Sequence, residues 1–150
     1  MANQHRKPSL ILSVNAGSSS LKIALFSHSK ESENTQKDRE PITLLLTSSI
    51  SNISSPPAKF SFERASSGEK DAKEEDLTSV KDHASAFAHF LDYLKNEASI
   101  DRNEIAHVCH RVVHGGDYTD PVVISDESYH HIEKLSDLAP LYGNQLLLTG

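Results

Sequence analysis

The sequence has a single cysteine, no excess of positive charge and no long hydrophobic run, and each shortage narrows the classes of protein it can encode. Cys109 alone cannot form an internal disulfide, so a reducing compartment, the cytoplasm, is the simplest prediction. The 15 lysines and arginines are outnumbered by 21 aspartates and glutamates, and the net charge of −6 disfavours nucleic acids and anionic membranes as partners. The apolar run near the N-terminus is interrupted by Asn15 and is too short for a signal peptide or a membrane span.

Apolar residues make up 37% of the sequence, which suits one globular core, and their spacing outlines the elements around it. Alternation predicts strands at 10–14, 21–26, 42–47 and 59–63, and helical spacing predicts a helix at 78–96 with His83 and His89 in solvent. A second helix is predicted from Ser125 to Pro140. Polar runs predict loops at 27–40 and 65–76 and a connection at 48–57. This order favours a mixed α/β lobe.

The polar segment between the first two strands has the residue types of a phosphate-binding turn. Gly17 lets the backbone approach a ligand closely, and successive N–H groups of such a turn can form a concave anion site. Further donors and one positive charge come from the side chains of Asn15, Ser18, Ser19, Ser20 and Lys22. Lys22 lies inside a predicted strand and not in a Gly-Lys-Ser/Thr sequence opening a helix, which excludes a Walker loop. An ordinary hairpin turn is the alternative, because Asn, Gly and Ser favour turns for local reasons.

A second candidate site lies on the predicted strand 106–114, which is rich in valine and stops at two glycines. Alternate residues of a strand share a face, so Arg111 and Val113 project together. They place a guanidinium fork beside a small apolar surface. That combination can hold a carboxylate with a short alkyl tail.

Three histidines in the same segment raise the alternative of a transition-metal site. His110 and His114 have the spacing of two ligands on one helix face, but the valines and glycines around them favour an extended chain. In a strand His107, His110 and His114 do not converge with Cys109 on one point. We therefore expect His107 and His110 to be packed or solvated strand residues, with His114 placed to help shape the neighbouring acid site.

Three segments resemble the acetate kinase family: NAGSSSLK from Asn15 to Lys22, HRVVHGG from His110 to Gly116, and LAPL from Leu138 to Leu141. The family belongs to the actin, sugar kinase and Hsp70 superfamily, so the resemblance implies a ribonuclease H-like fold with two lobes. Family members are more than twice as long as this chain. The resemblance therefore covers the N-terminal lobe only, and the second lobe is expected to be absent.

The resemblance implies reversible transfer of the terminal phosphoryl group of ATP to acetate with Mg²⁺ present, giving acetyl phosphate and ADP. It implies catalytic roles for Asn15, which contacts the phosphoryl group and the metal, and for Arg111, which binds the acid. The other implied residues are Gly17, Ser18, Ser20 and Lys22 for the nucleotide and Val113 and Leu141 for the acid. The expected partner is acetate or acetyl phosphate; family members also form homodimers, but through the second lobe, which is expected to be absent here.

After Leu141 the sequence departs from the family pattern, which continues with His-Asn-Pro where this chain has Tyr142, Gly143 and Asn144. We therefore expect residues 1–141 to form the N-terminal lobe and residues 142–150 a divergent tail. In the family the second lobe supplies the adenosine pocket, so the chain as given is expected to be an incomplete and inactive form. Two alternatives remain open: a catalytically silent fragment that retains the phosphate turn, and a kinase that takes another short acid, such as propionate or butyrate, or another phosphoryl donor.

Overall fold

The computed structural model describes residues 7–29, 42–66, 73–111 and 116–136 of the chain. Within these ranges the chain forms six strands, two α-helices and a short 3-10 helix. In chain order they are β1 (Ser9–Ala16), β2 (Leu21–His28), β3 (Ile42–Ser51), β4 (Ala58–Arg64), β5 (Lys73–Leu77), α1 (His83–Ala98), the 3-10 helix (Arg102–Glu104), β6 (Ile105–His110) and α2 (Asp126–Ser136). Neither α-helix is long and apolar enough to cross a membrane.

The strands form one mixed sheet in the order β5-β4-β3-β2-β1-β6. The first five pair with their neighbours along the chain in antiparallel fashion, whereas β6 pairs with β1 in parallel. A parallel return needs a crossover connection, and α1 lies in it. Because β5 and β1 run in the same direction, the crossover starts at the end of the sheet where the β1–β2 turn lies. The N-terminal end of α1 is therefore brought to that turn, and the predicted α/β class is confirmed.

The core lies between one face of the sheet and α1. On β1 the residues Leu10, Leu12 and Val14 are buried, while the residues between them are partly exposed. The buried residues of α1, Ala86, Phe90 and Leu94, recur every four positions and share one helix face. Asn15 and the residues beside it on the neighbouring strands occupy the opposite face of the sheet.

A capping box sets the start of α1. The Oδ1 atom of Asp82 accepts a hydrogen bond of 2.7 Å from the Ser85 N–H, and the Ser85 hydroxyl accepts one of 3.1 Å from the Asp82 N–H. These bonds to Ser85 lower the pKa of the Asp82 carboxyl below its usual value. The predicted helix 78–96 therefore begins later, at His83, and it ends at Ala98, where Ser99 takes a left-handed conformation with φ of 56°.

The predicted loop 65–76 is wrong over its last residues, because β5 (Lys73–Leu77) lies there. β5 is an edge strand whose residues Glu74, Glu75 and Asp76 remain exposed while its backbone pairs with β4. Charged side chains are tolerated on edge strands and protect them from pairing with other chains. An exposed, charged edge strand therefore has the same sequence pattern as a solvated loop.

Two further boundaries differ from the prediction. β3 continues to Ser51, into the predicted connection 48–57, because its backbone pairs with β4 as far as Ser51. The buried Ser48 hydroxyl is satisfied by a 2.8 Å hydrogen bond that it donates to the Ser61 carbonyl oxygen of β4. Of the predicted loop 27–40, Ser27 and His28 belong to β2, and residues 30–40 lie outside the described residues.

α2 follows its predicted cap. The Ser128 hydroxyl accepts a 2.8 Å hydrogen bond from the Ser125 N–H, and the Ser128 N–H donates to the Ser125 hydroxyl at 3.3 Å. The helix is described as far as Ser136. The predicted boundary between residues 141 and 142 lies outside the described residues.

Candidate phosphate and acid site

The β1–β2 hairpin turn, residues 17–20, is closed by a hydrogen bond of 2.8 Å from the Gly17 N–H to the Ser20 carbonyl oxygen. Strand pairing continues up to Ala16 and Leu21, so the turn comprises only these four residues. A Cβ atom at Gly17 would lie 2.5 Å from the Ser20 hydroxyl oxygen. Any residue with a Cβ atom would have to displace that hydroxyl, so glycine at this position leaves room for the Ser20 side chain.

The carbonyl oxygens of the other turn residues all face protein donors. The Gly17 oxygen lies 2.6 Å from the Nε2 atom of His83. The Ser18 oxygen accepts a weaker contact of 3.5 Å from the Ser54 hydroxyl, and the Ser19 oxygen accepts a 3.1 Å bond from the Ile53 N–H. The Ser19 hydroxyl makes a fourth contact by accepting a 3.0 Å hydrogen bond from the Ser54 N–H. Both the β3–β4 connection and the start of α1 therefore hold the turn.

This arrangement determines where the N–H groups of the turn point. A trans peptide directs its C=O and the following N–H in opposite directions. Fixing the carbonyls of residues 17–19 therefore turns the N–H groups of Ser18, Ser19 and Ser20 away from His83, Ser54 and Ile53, respectively. Across the described ranges none of these three N–H groups has a protein acceptor. Successive N–H groups of this kind form an anion-binding concavity.

Asn15 and Lys22 flank the turn as a directly opposed pair on β1 and β2. Asn15 is half-buried and Lys22 is exposed. Opposed residues of an antiparallel pair project from the same face. An amide and an ammonium group therefore stand beside the turn, on the sheet face opposite α1.

Arg111 lies one residue beyond the end of β6, and its N–H donates a 3.3 Å hydrogen bond to the Val14 carbonyl oxygen. His110 is paired with Val14, so continuing the register by one residue sets the backbone of Arg111 beside that of Asn15. The Arg111 side chain is exposed. The topology thus brings this arginine and the β1–β2 turn to the same end of the sheet, on adjacent strands. Val113 and Leu141, the other predicted acid-binding residues, lie outside the described residues.

The histidines of this segment have different surroundings. His107 and Cys109 are exposed, whereas His110 is half-buried, and burial lowers the pKa of its imidazole below the usual value. In the described part of the chain no three His, Cys, Asp or Glu side chains are grouped so that they could hold a metal ion. His114 is not among the described residues.

Sequence reasoning missed the residues that hold the turn in place. His83 was expected in solvent, but it is half-buried and contacts the Gly17 carbonyl oxygen. His89, also expected in solvent, packs edge-on against Phe60 with ring centroids 4.8 Å apart. No local pattern marks His83 or Ser54, but the predicted helix between two strands was a usable signal. Such a helix is typical of a crossover to a parallel strand, and in the structure it starts beside the turn.

Comparison with known proteins agrees with this fold. The sequence model of the acetokinase family matches residues 10–149. A probable acetate kinase of Emericella nidulans is 43% identical over 135 residues, which are 88% of this chain and 29% of that protein. The crystal structure of Porphyromonas gingivalis acetate kinase matches with a TM-score of 0.69 and 28% identity, over 95% of this chain and 35% of that one. A propionate kinase from Francisella tularensis matches with a TM-score of 0.69 and 26% identity, over 92% of this chain and 32% of that one.

The mixed sheet with its crossover helix is thus a single lobe of the fold shared by these kinases. The chain belongs to the acetokinase family. It spans 29% of the length of the Emericella nidulans relative. The resemblance found in the three sequence segments is confirmed.

Proposed function

We propose that this chain forms the phosphate-binding and acid-binding part of an acetate kinase. The enzyme would transfer the terminal phosphoryl group of ATP to acetate and run the reverse reaction with acetyl phosphate and ADP. The observation that carries the proposal is that the N–H groups of Ser18, Ser19 and Ser20 have no acceptor among the described residues, at the sheet end that Arg111 also reaches. Residues 1–141 would form this lobe, in a cytoplasmic protein that dimerises through its second lobe.

The turn suits phosphoryl transfer because its donors are fixed before the ligand arrives. The transition state spreads negative charge over three equatorial oxygens, with the attacking and leaving oxygens in line. Catalysis then depends on positioning and charge stabilisation, and removal of one such donor costs about 100-fold or more in rate. Asn15 would contact the phosphoryl group, Gly17, Ser18 and Ser20 would shape and supply the donors, and Lys22 would add positive charge.

Arg111 would orient the acid and neutralise its charge. A guanidinium presents parallel N–H donors that match the two oxygens of a carboxylate. The carboxylate oxygen could then be held in line with the phosphoryl group bound at the turn on the adjacent strand. Val113 and Leu141 would enclose the methyl group of acetate.

The described residues do not form a magnesium site by themselves. Mg²⁺ is commonly held by one or two carboxylates together with substrate phosphates. Asn15 offers only an amide oxygen, and the Asp82 carboxylate next to His83 already accepts from Ser85. We therefore assign the ion to the ATP substrate, with Asn15 as its proposed protein contact.

A kinase for propionate is the second candidate, because the solved propionate kinase matches this chain with the same TM-score as the solved acetate kinase. Both acids would use the same phosphate turn and the same arginine. They differ by one methylene, which a hydrophobic pocket distinguishes by only about 10- to 200-fold. Selectivity between acetate and propionate therefore depends on the pocket residues and not on the turn.

The test is an NMR titration of the ¹⁵N-labelled chain with acetyl phosphate, inorganic phosphate, acetate and propionate. Acetyl phosphate should shift the amide signals of Ser18, Ser19 and Ser20 together with the side-chain signal of Arg111. Acetate should shift the Arg111 signal and leave the turn unchanged. Tighter binding of propionate than of acetate would favour the second candidate.

Asn15→Ala should weaken the binding of acetyl phosphate, whereas Asn103→Ala is the matched control because Asn103 is exposed on the short 3-10 helix. If acetyl phosphate leaves both the turn and Arg111 unshifted, the chain does not form this site.

A further inference from the structure

One contact ties the phosphate turn to the crossover helix. The Nε2 atom of His83, the first residue of α1, lies 2.6 Å from the Gly17 carbonyl oxygen. A carbonyl oxygen can only accept, so His83 donates from Nε2 and its proton sits on that nitrogen. His83 is separated from Gly17 by 66 positions in the sequence, so the fold itself and not the local chain brings the two together.

The base of this contact is rigid. The Asp82 and Ser85 capping box fixes the first turn of α1, and Ala86, Phe90 and Leu94 anchor the helix in the core. The imidazole therefore projects from a fixed backbone and has few conformations to lose when it meets the carbonyl. A donor held in this way can define the orientation of the peptide it touches.

The peptide in question is the one between Gly17 and Ser18. Its carbonyl oxygen faces His83, so its N–H, which belongs to Ser18, faces the opposite way, where no described residue accepts from it. Glycine at position 17 gives this peptide more rotational freedom than any other residue would. Without His83 the Gly17 carbonyl would lose its protein donor, and the Ser18 N–H would no longer be held outward.

We propose that His83 is a positioning residue for the phosphate turn: by donating from Nε2 to the Gly17 carbonyl oxygen, it directs the Ser18 N–H at the phosphoryl group. This inference rests on the proposed function, because it assumes that the turn binds a phosphoryl group. It adds a residue on α1 to a site otherwise built from β1, β2 and the end of β6. His83 acts through the peptide and makes no contact with the ligand.

Three variants of the chain test the role of the donor. His83→Phe keeps the ring shape and removes the donor, and it should weaken acetyl phosphate binding by about five- to tenfold, the size of one hydrogen bond. His83→Gln keeps an N–H donor at a similar reach and should bind within about twofold of the original chain. His107→Phe is the matched control, because His107 is exposed on β6, and it should bind like the original. Dissociation constants come from the shifts of the Ser18, Ser19 and Ser20 amides, and dispersed spectra identify the folded variants.

A second measurement needs no variant. A long-range ¹⁵N–¹H spectrum of the original chain should show the proton of neutral His83 on Nε2 and an unprotonated Nδ1. The inference is overturned if Nε2 carries no proton, if His83→Phe binds as tightly as the original, or if His83→Gln loses as much affinity as His83→Phe. Failure of the proposed function looks different, because the original chain would then show no shifts at the turn with acetyl phosphate.

Discussion

Arg111 shows how a single residue is set by its strand. It follows β6 directly, and its N–H is tied to the carbonyl oxygen of Val14 on the neighbouring strand. The backbone position is therefore fixed while the side chain remains exposed. A fixed backbone position limits the region in which the flexible arginine side chain can place its guanidinium group.

Replacement of Arg111 by lysine should show whether its geometry or its charge matters. Arg111→Lys keeps the charge but loses the planar fork that matches a carboxylate, so acetate affinity should fall by about tenfold or more. The measurement is the acetate titration followed by NMR, with Arg102→Lys as control because Arg102 is an exposed arginine in the 3-10 helix. Unchanged acetate affinity in Arg111→Lys would remove Arg111 from the acid site. In a protein that carries the complete active site, the same change should remove most of the catalytic efficiency.

His110 is expected to make the stability of the chain depend on pH. Burial lowers the pKa of His110 in the folded chain below the value of 6.5 that it has when unfolded. The unfolded chain then binds the proton more readily, so this contribution to stability is complete above about pH 6.5 and is lost as the pH falls through the folded pKa. We expect the free energy of unfolding, measured by urea denaturation, to fall between pH 7.5 and pH 5. In His110→Leu this fall should be smaller than in the original chain. His107→Leu should leave the fall unchanged, and an equal effect of both variants would contradict the assignment to His110.

At the scale of elements, the capping box of α1 makes a separate prediction. Asp82→Ala should lower the free energy of unfolding by about 1 kcal/mol at pH 7, because the Ser85 N–H loses its acceptor. The pKa of Asp82 is lowered in the folded chain from 3.8, so the contribution of the charged cap is present above about that pH and is lost as the pH falls through the folded value. The difference between the two proteins in urea denaturation should therefore shrink at pH 3. A difference of the same size at both pH values would show that the charge of the cap does not matter.

The sequence predicted those elements whose side chains alternate or recur with a clear period. The β1–β2 hairpin and α1 were found in this way, since one face of each is buried against the core. β5 was missed, because its charged residues Glu74, Glu75 and Asp76 are exposed and the buried Leu77 at its end is too little to show a period. Periodicity reports burial, so an element that buries little leaves no periodic signal.

The residues of the candidate site were likewise predicted only in part. Asn15, Gly17 and Arg111 were identified from local strings, and the structure brings their strands side by side. His83 was missed, because its contact with Gly17 depends on where the crossover returns and not on its neighbours in the sequence. The residues proposed to contact a ligand are encoded locally here, whereas the proposed positioning residue is encoded by the topology.

At the scale of the whole molecule, the sheet has two edges, β5 and β6, and the described residues pair with neither on its outer side. The β5 edge is charged, whereas the β6 edge is apolar at its centre, where Val108 is 50% exposed. Val123, between β6 and α2, is 89% exposed. Apolar side chains and unpaired backbone groups at an edge strand favour association with further chain. The relatives contain further chain that could pack on this edge, since this sequence spans 29% of the Emericella nidulans protein.

The last prediction concerns turnover by the 150-residue chain itself. We expect negligible formation of acetyl phosphate from ATP and acetate, because the described residues supply donors for one phosphoryl group and an arginine, while in-line transfer also needs the rest of the nucleotide held in register. Trapping acetyl phosphate with hydroxylamine measures the product directly, and a full-length acetate kinase from Bacillus subtilis is the positive control. Binding of acetyl phosphate at the turn without turnover is the expected combination. Robust turnover, abolished by Arg111→Lys, would instead show that another chain completes the site, and the oligomeric state of the active sample would then identify that chain as a second copy or a different protein.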